Sequence, residues 1–139
     1  MPEIRITVGS LIFTARLEDQ IAPATCVAFL KLLPYHEKII QARWSGEAAW
    51  IPLGDFQFGV GYENALSYPS PGEILLYPGG ISETEILFPY GHCSFASKAG
   101  ALAGNHFLTI VEGKDQLVEL GRLVLWHGAQ DITFERIDT

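Results

Sequence analysis

The amino-acid sequence predicts a mainly β protein: a closed antiparallel β-barrel with one helix near the N-terminus and a short helix near the C-terminus. Three observations predict this fold class. Seven or eight short segments alternate apolar and polar residues or are rich in β-formers, and glycine, proline or serine separates them. Two further segments repeat apolar residues at helical spacing. Closure into a barrel also removes the sheet edges that such a chain would otherwise expose.

The composition indicates one domain, residues 1–139, with a core large enough to need no disulfides. The two cysteines, Cys26 and Cys93, have no metal-type spacing, and we expect neither a metal nor a cofactor. The formal charge of −7 disfavours a nucleic-acid partner, because such partners are bound by clustered Lys and Arg. Short apolar runs, with Glu3 and Arg5 near the N-terminus, predict a cytoplasmic protein without a membrane segment.

The N-terminal elements are a β-hairpin and a helix. Residues 4–8 and 11–17 alternate as strands do, and Gly9 lies in the two-residue turn between them, where its freedom to adopt positive φ is useful. Pro23 suits the first turn of a helix, and the apolar residues after it repeat at i, i+3, i+4 and i+7. We expect about three helical turns, which end at Pro34 because proline cannot continue the helix.

The middle of the chain is predicted to be strands and one long loop. Residues 38–44 and 47–53 are expected to pair as two strands about a turn that begins at Ser45. Residues 56–71 are rich in Gly, Tyr, Ser and Pro and have poor periodicity, so we expect mostly loop. Residues 73–77 form the next strand, which begins after one Pro-Gly sequence and ends at another.

The C-terminal part is predicted to contain three strands and the second helix. Residues 85–88 form a short strand and residues 106–111 a longer one. From Lys114 the apolar spacing is helical, with Gly128 placed to end the helix. Alternation within that segment leaves a strand as the alternative. Residues 131–137 form the last strand.

The first helix carries a resemblance to a known family. Its spacing Pro23-x-Thr25-x-x-x-Phe29-x-x-Leu32 is similar to the first helix of the cyclophilins, and residues 53–56 (LGDF) resemble the end of that family's Gln-Gly-Gly-Asp-Phe motif. More closely, the whole chain resembles the bacterial cyclophilin-like proteins of unknown function grouped as DUF3830, through the segments WSGEAAW, PGEILLYPGGISETEILFPYG and LGRLVLWHGAQ. Both resemblances imply a cyclophilin-like barrel.

The cyclophilin resemblance also bears on activity. Cyclophilins use an arginine that hydrogen-bonds the prolyl amide, and Arg43 is the only candidate for that arginine here. The family's Phe-His neighbours of the arginine are absent, and Pro52 stands where the family has a substrate-orienting Gln. Because Arg43 is present, the resemblance implies weak peptidyl-prolyl cis-trans isomerase activity as an alternative function.

Residues 79–107 concentrate titratable and polar side chains among glycines, which add no packing volume and permit unusual backbone angles. This pattern predicts the lip of a pocket, on the side of the barrel, for a small polar or acidic metabolite. Arg43 suits a ligand clamp because its planar guanidinium grips carboxylates at two points, and a surface ion pair with Glu47 is the alternative. The residues predicted to bind the ligand are Arg43, Glu47, Trp50, Tyr77, Tyr90, Asn105 and His106.

A small-molecule enzyme is the alternative to a binding protein. His92 follows a turn of proline and glycine, and an imidazole beside a carboxylate suits proton transfer near neutral pH. The predicted catalytic residues are His92, Glu83 and Arg43. A surface or structural histidine is the competing interpretation. Glu83 and Glu85 lie on the same side of an extended chain, so they either share a site or form the polar face of an edge strand.

The remaining candidates have simpler interpretations. Lys98 lies in a loop of small residues that either closes over an anion or stays solvated. Cys93 and His92 do not predict a nucleophile pair, because adjacent residues of an extended chain point to opposite faces. No usual zinc-ligand spacing matches His92, Cys93, His106 and His127. The apolar character of residues 56–71 favours a homo-oligomer, and a structural or assembly module is a further alternative.

Overall fold

Residues 1–137 are described by the structure, a computed structural model, and eleven strands lie within them. Nine of these strands form one sheet, and the other two form a small separate hairpin. The strands in chain order are β1 (Glu3–Val8), β2 (Leu11–Leu17), β3 (Tyr35–Gln41), β4 (Gly46–Gly54), β5 (Ala65–Leu66), β6 (Glu73–Tyr77), β7 (Thr84–Cys93), β8 (Ala96–Ser97), β9 (Gly100–Ala101), β10 (Gly104–Glu112) and β11 (Gln130–Ile137).

The large sheet closes into an eight-stranded barrel. Its order is β2-β1-β11-β3-β4-β7-β6-β10, and pairing of β10 with β2 completes the circle, for example between Leu108 and Leu17. All neighbouring strands are antiparallel, and β5 extends the sheet beside β10. The predicted mainly β fold class is therefore confirmed.

Two short helices accompany the barrel. Helix α1 (Pro23–Leu30) has proline in its first turn and is shorter than the predicted three turns. Helix α2 (Leu117–His127) follows a 3-10 turn, buries one apolar stripe and ends at Gly128, whose φ of 82° favours glycine. The helical interpretation of this segment is thus confirmed over the strand alternative. No helix between residues 1 and 137 is both long and apolar enough to cross a membrane.

Alternation along the strands fills the barrel interior with apolar side chains. In β1 the even-numbered residues Ile4, Ile6 and Val8 are buried, as the sequence pattern predicts. Aromatic rings fill the end of the barrel beside α1, where Phe29 packs edge-on against Phe107 and Phe134 at centroid distances of 5.0 and 5.1 Å.

A second apolar cluster lies on the outer face of β4, β6 and β7. Leu75 and Leu87 belong to it, whereas their strand neighbours Leu76 and Ile86 point into the barrel. The β8–β9 hairpin and its flanking residues cover this cluster, with Phe95 edge-on against Tyr77 at 5.8 Å. The barrel wall is therefore buried on both sides here, which explains why β7 contains a continuous run of apolar residues.

The sequence placed some element boundaries incorrectly. Strand β7 extends well beyond the predicted residues 85–88, because Pro89 stays extended, pairs with Ala48 and offers its carbonyl oxygen to the Gly72 amide at 2.9 Å. The turn between β3 and β4 spans residues 42–45 and so begins earlier than predicted. The loop of small residues around Lys98 contains the short β8–β9 hairpin.

Candidate functional site

A pocket of about 260 Å³ opens on the outer face of the barrel, beside the second apolar cluster. Three parts of the chain form it: the turn between β3 and β4, the start of β7, and the β8–β9 hairpin. We call it the outer-face pocket. It is lined by Ala42, Arg43, Trp44, Ser45, Trp50, Ser82, Glu83, Glu85, Ala96, Ser97 and Lys98.

Glu85 is the buried polar group of this pocket. Strand alternation places it on the outer face with Leu87, and its backbone pairs with Pro52 of β4 and Tyr77 of β6. Only 5% of its surface is exposed. Within residues 1–137, no hydrogen bond or ion pair reaches its carboxyl group. No fully buried side-chain oxygen lacks a partner within residues 1–137, so the carboxyl oxygens of Glu85 are accessible from the pocket and are a candidate contact for a ligand.

Burial raises the pKa of Glu85 to about 8, and the negative charge of Glu83 acts in the same direction. Desolvation disfavours the charged form of a carboxyl group, and a neighbouring like charge disfavours it further. Glu85 is therefore mainly protonated at neutral pH and can donate a hydrogen bond.

Glu83 has a different environment at the rim of the pocket. Its side chain is exposed, and Oε2 accepts a hydrogen bond of 2.9 Å from the Gly54 amide. This bond ties the segment before β7 to the end of β4. The two predicted carboxylates thus line one pocket, one of them solvated and the other buried.

Arg43 and Lys98 supply positive charge to the same pocket. Both side chains are exposed, and neither forms an ion pair within the part of the chain that is described. The Arg43 guanidinium carbon lies 5.8 Å from the centre of the Trp44 ring, in the range of a cation–π contact. The pocket therefore offers two cations and an indole wall to a bound anion.

Ser45 anchors the hairpin that carries Lys98. Its hydroxyl accepts a hydrogen bond of 3.1 Å from the Ala96 amide and donates one of 3.2 Å to the Ala96 carbonyl. The Ser94 amide also donates to the Ser45 carbonyl at 3.0 Å. These bonds fix the β3–β4 turn, which carries Arg43, against the β8–β9 hairpin, which carries Lys98.

Tyr77 lies beneath the pocket and does not line it. Its side chain is fully buried, and its hydroxyl accepts hydrogen bonds from the amides of Ile81 and Ser82 at 3.1 and 3.3 Å. Tyr77 therefore shapes the loop at the pocket edge, whereas Trp50 is a direct part of the lining.

Glu47 and Tyr90 line a separate cavity of about 550 Å³ beside α2, which we call the helix-side cavity. The Tyr90 hydroxyl donates to Gln41 Oε1 at 2.5 Å. Glu47 Oε1 accepts from the His92 amide at 2.8 Å, and no ion pair between Glu47 and Arg43 forms. The sequence-predicted ligand residues are thus divided between two cavities.

His92 is exposed and lies in the lining of neither cavity. Its hydrogen bond to a carboxylate is donated by the backbone amide, not by the imidazole, and Glu47 Oε1 accepts it. The structure therefore does not bring its imidazole together with Glu83. The roles predicted for His92, Glu83 and Arg43 in catalysis stay predictions.

Asn105 is fully buried and completely engaged in a structural network. Its amide nitrogen donates to Thr25 Oγ1 at 3.1 Å and to the Gly61 carbonyl at 2.8 Å, while its oxygen accepts from the Glu63 amide at 3.1 Å. These contacts join β10 to α1 and to the long loop, at a distance in the fold from the outer-face pocket.

His106 is likewise held by neighbours. Its Nε2 lies 2.7 Å from Thr109 Oγ1, which donates to Glu18 Oε2 at 2.6 Å, so Nε2 carries the proton in this arrangement. Its Nδ1 lies 4.0 Å from a Glu73 oxygen. Across residues 1–137 no three His, Cys, Asp or Glu side chains converge as metal ligands.

The outer-face pocket contains residues that the predicted ligand set omitted, chiefly Trp44, Glu85 and Lys98. For Glu85 the sequence holds a signal, because it is the charged residue next to the apolar segment Ile86–Phe88. A charge in a strand buried on both faces requires a partner or a pocket. Trp44 and Lys98 give no comparable signal, since exposed turns commonly carry such residues.

A family model matches nearly the whole sequence. The model for "Protein of unknown function (DUF3830)" matches residues 4–136. The chain belongs to the DUF3830 family. The resemblance to DUF3830 seen in the sequence is thereby confirmed. No curated protein matches this DUF3830 chain.

Two solved structures share the fold of this DUF3830 protein. McbB in complex with tryptophan has 19% sequence identity and a TM-score of 0.74, and the match covers 98% of this chain but 45% of the McbB chain. The hypothetical protein AF2241 from Archaeoglobus fulgidus has 21% identity and a TM-score of 0.62, with 98% and 95% of the two chains covered. The DUF3830 chain thus spans less than half the length of McbB.

Proposed function

We propose that this DUF3830 protein binds a small acidic metabolite in the outer-face pocket. The observation that carries the proposal is Glu85, a carboxyl group that is 5% exposed, has no protein partner in residues 1–137 and lines the pocket. Its oxygens are accessible from the pocket, so a ligand can supply the hydrogen bond that no group of residues 1–137 makes.

The charges of the lining favour an anion. Arg43 and Lys98 form no ion pair within residues 1–137, Glu83 is a solvated anion at the rim, and Glu85 is mainly neutral at pH 7. Arginine binds a carboxylate through two parallel N–H bonds, and lysine adds a mobile point charge. The ligand's carboxylate is therefore placed beside the β3–β4 turn and the β8–β9 hairpin.

The size and walls of the pocket restrict the rest of the ligand. A volume of about 260 Å³ is slightly below the usual range for drug-sized ligands, which favours a compact molecule. Trp44 and Trp50 provide apolar surface for a hydrocarbon or ring portion. McbB, which shares the fold, has been solved with tryptophan, itself a small carboxylate-bearing molecule. This fact supports including amino acids among the probes.

A thermal-shift screen tests the proposal. The panel contains small mono- and dicarboxylic acids, amino acids and proline peptides, the last to test weak prolyl isomerase substrates. Binding to the native state raises Tm by mass action. We expect acids to raise Tm of the wild type, and Arg43→Ala and Lys98→Ala to lose most of the increase, while Arg5→Ala on β1 keeps it. Equal shifts in all four proteins would place the ligand elsewhere.

Acid–base catalysis on the same ligand is the second candidate function. Glu85, rather than His92, is the group favoured for it, because a carboxyl group with a pKa of about 8 inside a pocket is suited to proton transfer near neutral pH. The test is deuterium incorporation into a bound acid in D₂O, followed by NMR. Exchange in the wild type that Glu85→Gln abolishes supports an enzyme, and no exchange in the wild type argues for binding alone.

Homo-oligomerisation stays a prediction. Tyr62 and Tyr68 in the long loop are 58% and 77% exposed in the single chain, so both present surface to another molecule, although Tyr62 also contacts Tyr77 at a centroid distance of 6.5 Å. Sedimentation velocity across a tenfold concentration range measures the state directly.

A further inference from the structure

Glu85 can be a carboxylate or a neutral acid, and the two forms differ in the contacts that they need in the pocket. As a carboxylate it would need donors, and within residues 1–137 no donor is in hydrogen-bonding contact with it. As a neutral acid it has one O–H to donate, and a ligand anion would be a suitable acceptor. The lining of the outer-face pocket therefore combines this O–H with two cations, and all three groups can contact a carboxylate.

The charged and titratable groups around Glu85 come from several neighbouring elements. Glu83 lies just before β7, Arg43 on the β3–β4 turn and Lys98 on the β8–β9 hairpin. Cys93 on β7 has a thiol whose pKa is raised to about 11 by burial and by Glu85, so it is neutral. On β6, the Tyr77 hydroxyl is occupied by backbone amides.

Among these groups the negative charge of Glu83 is the one that acts on Glu85. Neither Arg43 nor Lys98 forms an ion pair with it in the part of the chain that is described. The space between the cations and the carboxyl group is the pocket itself. A ligand carboxylate in that space would face Arg43 and Lys98 on one side and the Glu85 O–H on the other.

We propose that Glu85 recognises the ligand as a protonated acid, so that the pocket binds a carboxylate together with one proton and releases it as the pH rises above neutral. This inference rests on the proposed function. The Glu85 O–H donates to a ligand oxygen, and no covalent bond breaks. Once Glu85 ionises, two anions face each other across a desolvated contact, which is strongly unfavourable.

Thermodynamic linkage between ligand binding and proton binding sets how strongly the affinity depends on pH. Where Glu85 is ionised in the free protein, one proton must be taken up for each ligand bound. The association constant then falls by up to tenfold for each pH unit above the titration of Glu85. Benzoate is ionised throughout this range, so its pH dependence does not come from titration of the ligand.

The test is the affinity for benzoate and for succinate at pH 6, 7, 8 and 9, by NMR titration. Benzoate offers one carboxylate and a ring, and succinate offers two carboxylates. We expect nearly constant affinity between pH 6 and 7 and about a tenfold loss between pH 7 and 9. Calorimetry in two buffers of different ionisation enthalpy should show uptake of about one proton above pH 8.

Two variants separate the roles of the carboxyl groups. Glu85→Gln keeps a neutral donor, and we expect its affinity to be independent of pH between 6 and 9. Glu83→Gln keeps an acceptor for the Gly54 amide but removes the charge, so the loss of affinity should begin at lower pH. The wild-type series remains decisive even where Glu85→Gln does not fold.

The outcomes distinguish the two proposals. Wild-type affinity that stays constant or rises with pH overturns proton-linked recognition and leaves the acidic-metabolite pocket standing. A pH dependence that persists in Glu85→Gln assigns the linkage to another group and also overturns the inference. Failure of both acids to bind at pH 6 overturns the inference and the proposed function together.

Discussion

Glu83 lies two residues before Glu85 on the same outer face of the barrel, and its charge adds to burial in raising the pKa of Glu85 to about 8. Glu85 is therefore mainly protonated at neutral pH in the pocket that it shares with Glu83. Glu83 is held by the Gly54 amide and stays solvated, whereas Glu85 is available as a neutral donor. This difference leads to the first prediction.

Stability should fall as the pH rises from about 5 to 8. Unfolded Glu85 ionises near 4.5, and folded Glu85 keeps its proton to about 8, so the folded state binds more protons between these values. The contribution of Glu85 to the free energy of unfolding is thus fully present below the pKa of the unfolded state. It is lost as the pH rises through the pKa of the folded state. The loss is on the order of 4 kcal/mol. Urea denaturation at half-unit pH steps measures it.

The matched variant for this prediction is Glu85→Gln, which is neutral at every pH. Subtracting its unfolding free energy from that of the wild type isolates the contribution of Glu85 from other titrations. A difference that does not change between pH 5 and 8 would show that Glu85 has an ordinary pKa.

Gly121→Ala should destabilise the protein. A Cβ at this position of α2 would clash with the ring of Tyr90 on β7, so the helix or the ring must move. Overpacking of this kind costs roughly 1–3 kcal/mol, although alanine is normally the better helix former. Chemical denaturation of the variant measures the loss.

A double-mutant cycle tests the cause of that loss. In the Tyr90→Ala background the ring is absent, and Gly121→Ala should be neutral or stabilise by up to about 1 kcal/mol. An equal loss in both backgrounds would refute the ring contact as the reason.

Glu63→Ala should weaken the start of α1. The Glu63 carboxylate accepts from the Thr25 amide at 2.6 Å and from the Thr25 hydroxyl at 2.7 Å, and so satisfies an N-terminal donor of the helix. Its removal should cost about 1–2 kcal/mol, as for other N-terminal caps. Glu112→Ala, which removes an exposed carboxylate, is the control and should cost less than about 0.5 kcal/mol. Similar losses in both would argue against a capping role.

Ser45→Ala should loosen the wall of the outer-face pocket. The variant removes both hydrogen bonds that join the β3–β4 turn to Ala96. Amide hydrogen exchange at Ala96 should accelerate about tenfold or more, since its donor loses its acceptor. Ser94→Ala, whose side chain is exposed, is the comparison. Unaltered exchange at Ala96 would show that the turn is held by other contacts.

Local sequence patterns predicted much of the fold because they reflect burial directly. Alternation in β1 and the apolar stripe of Leu117, Leu120 and Val124 each follow from one buried face. The length of β7 was missed because Pro89 and Gly91 usually interrupt strands, whereas here the pairing with β4 continues past both.

The site was predicted less completely because its members meet only after the barrel closes. Arg43 and Glu47 are four residues apart, yet they face different cavities across the β3–β4 turn. Arg43, Glu85 and Lys98 are far apart in sequence and converge because the β8–β9 hairpin folds over the outer face. A shift of one residue in strand register moves a side chain from the interior of the barrel to its outer face, and the sequence alone does not fix that register.

Asn105 shows why a polar residue in an apolar strand is an ambiguous signal. It resembles a ligand-binding group in the sequence, but its partners are Thr25, Gly61 and Glu63, which are more than forty residues away. Such residues bind either a ligand or a distant loop, and only the tertiary structure distinguishes the two.

The most direct test of the central claim is backbone-amide NMR mapping of the wild type during titration with benzoate and succinate at pH 6. We predict saturable shifts concentrated in residues 42–45, 82–85 and 96–98, which surround the outer-face pocket. Shifts confined to α2 and the neighbouring Tyr90, or no saturable shift with either acid, would contradict the assignment of this pocket as a carboxylate site.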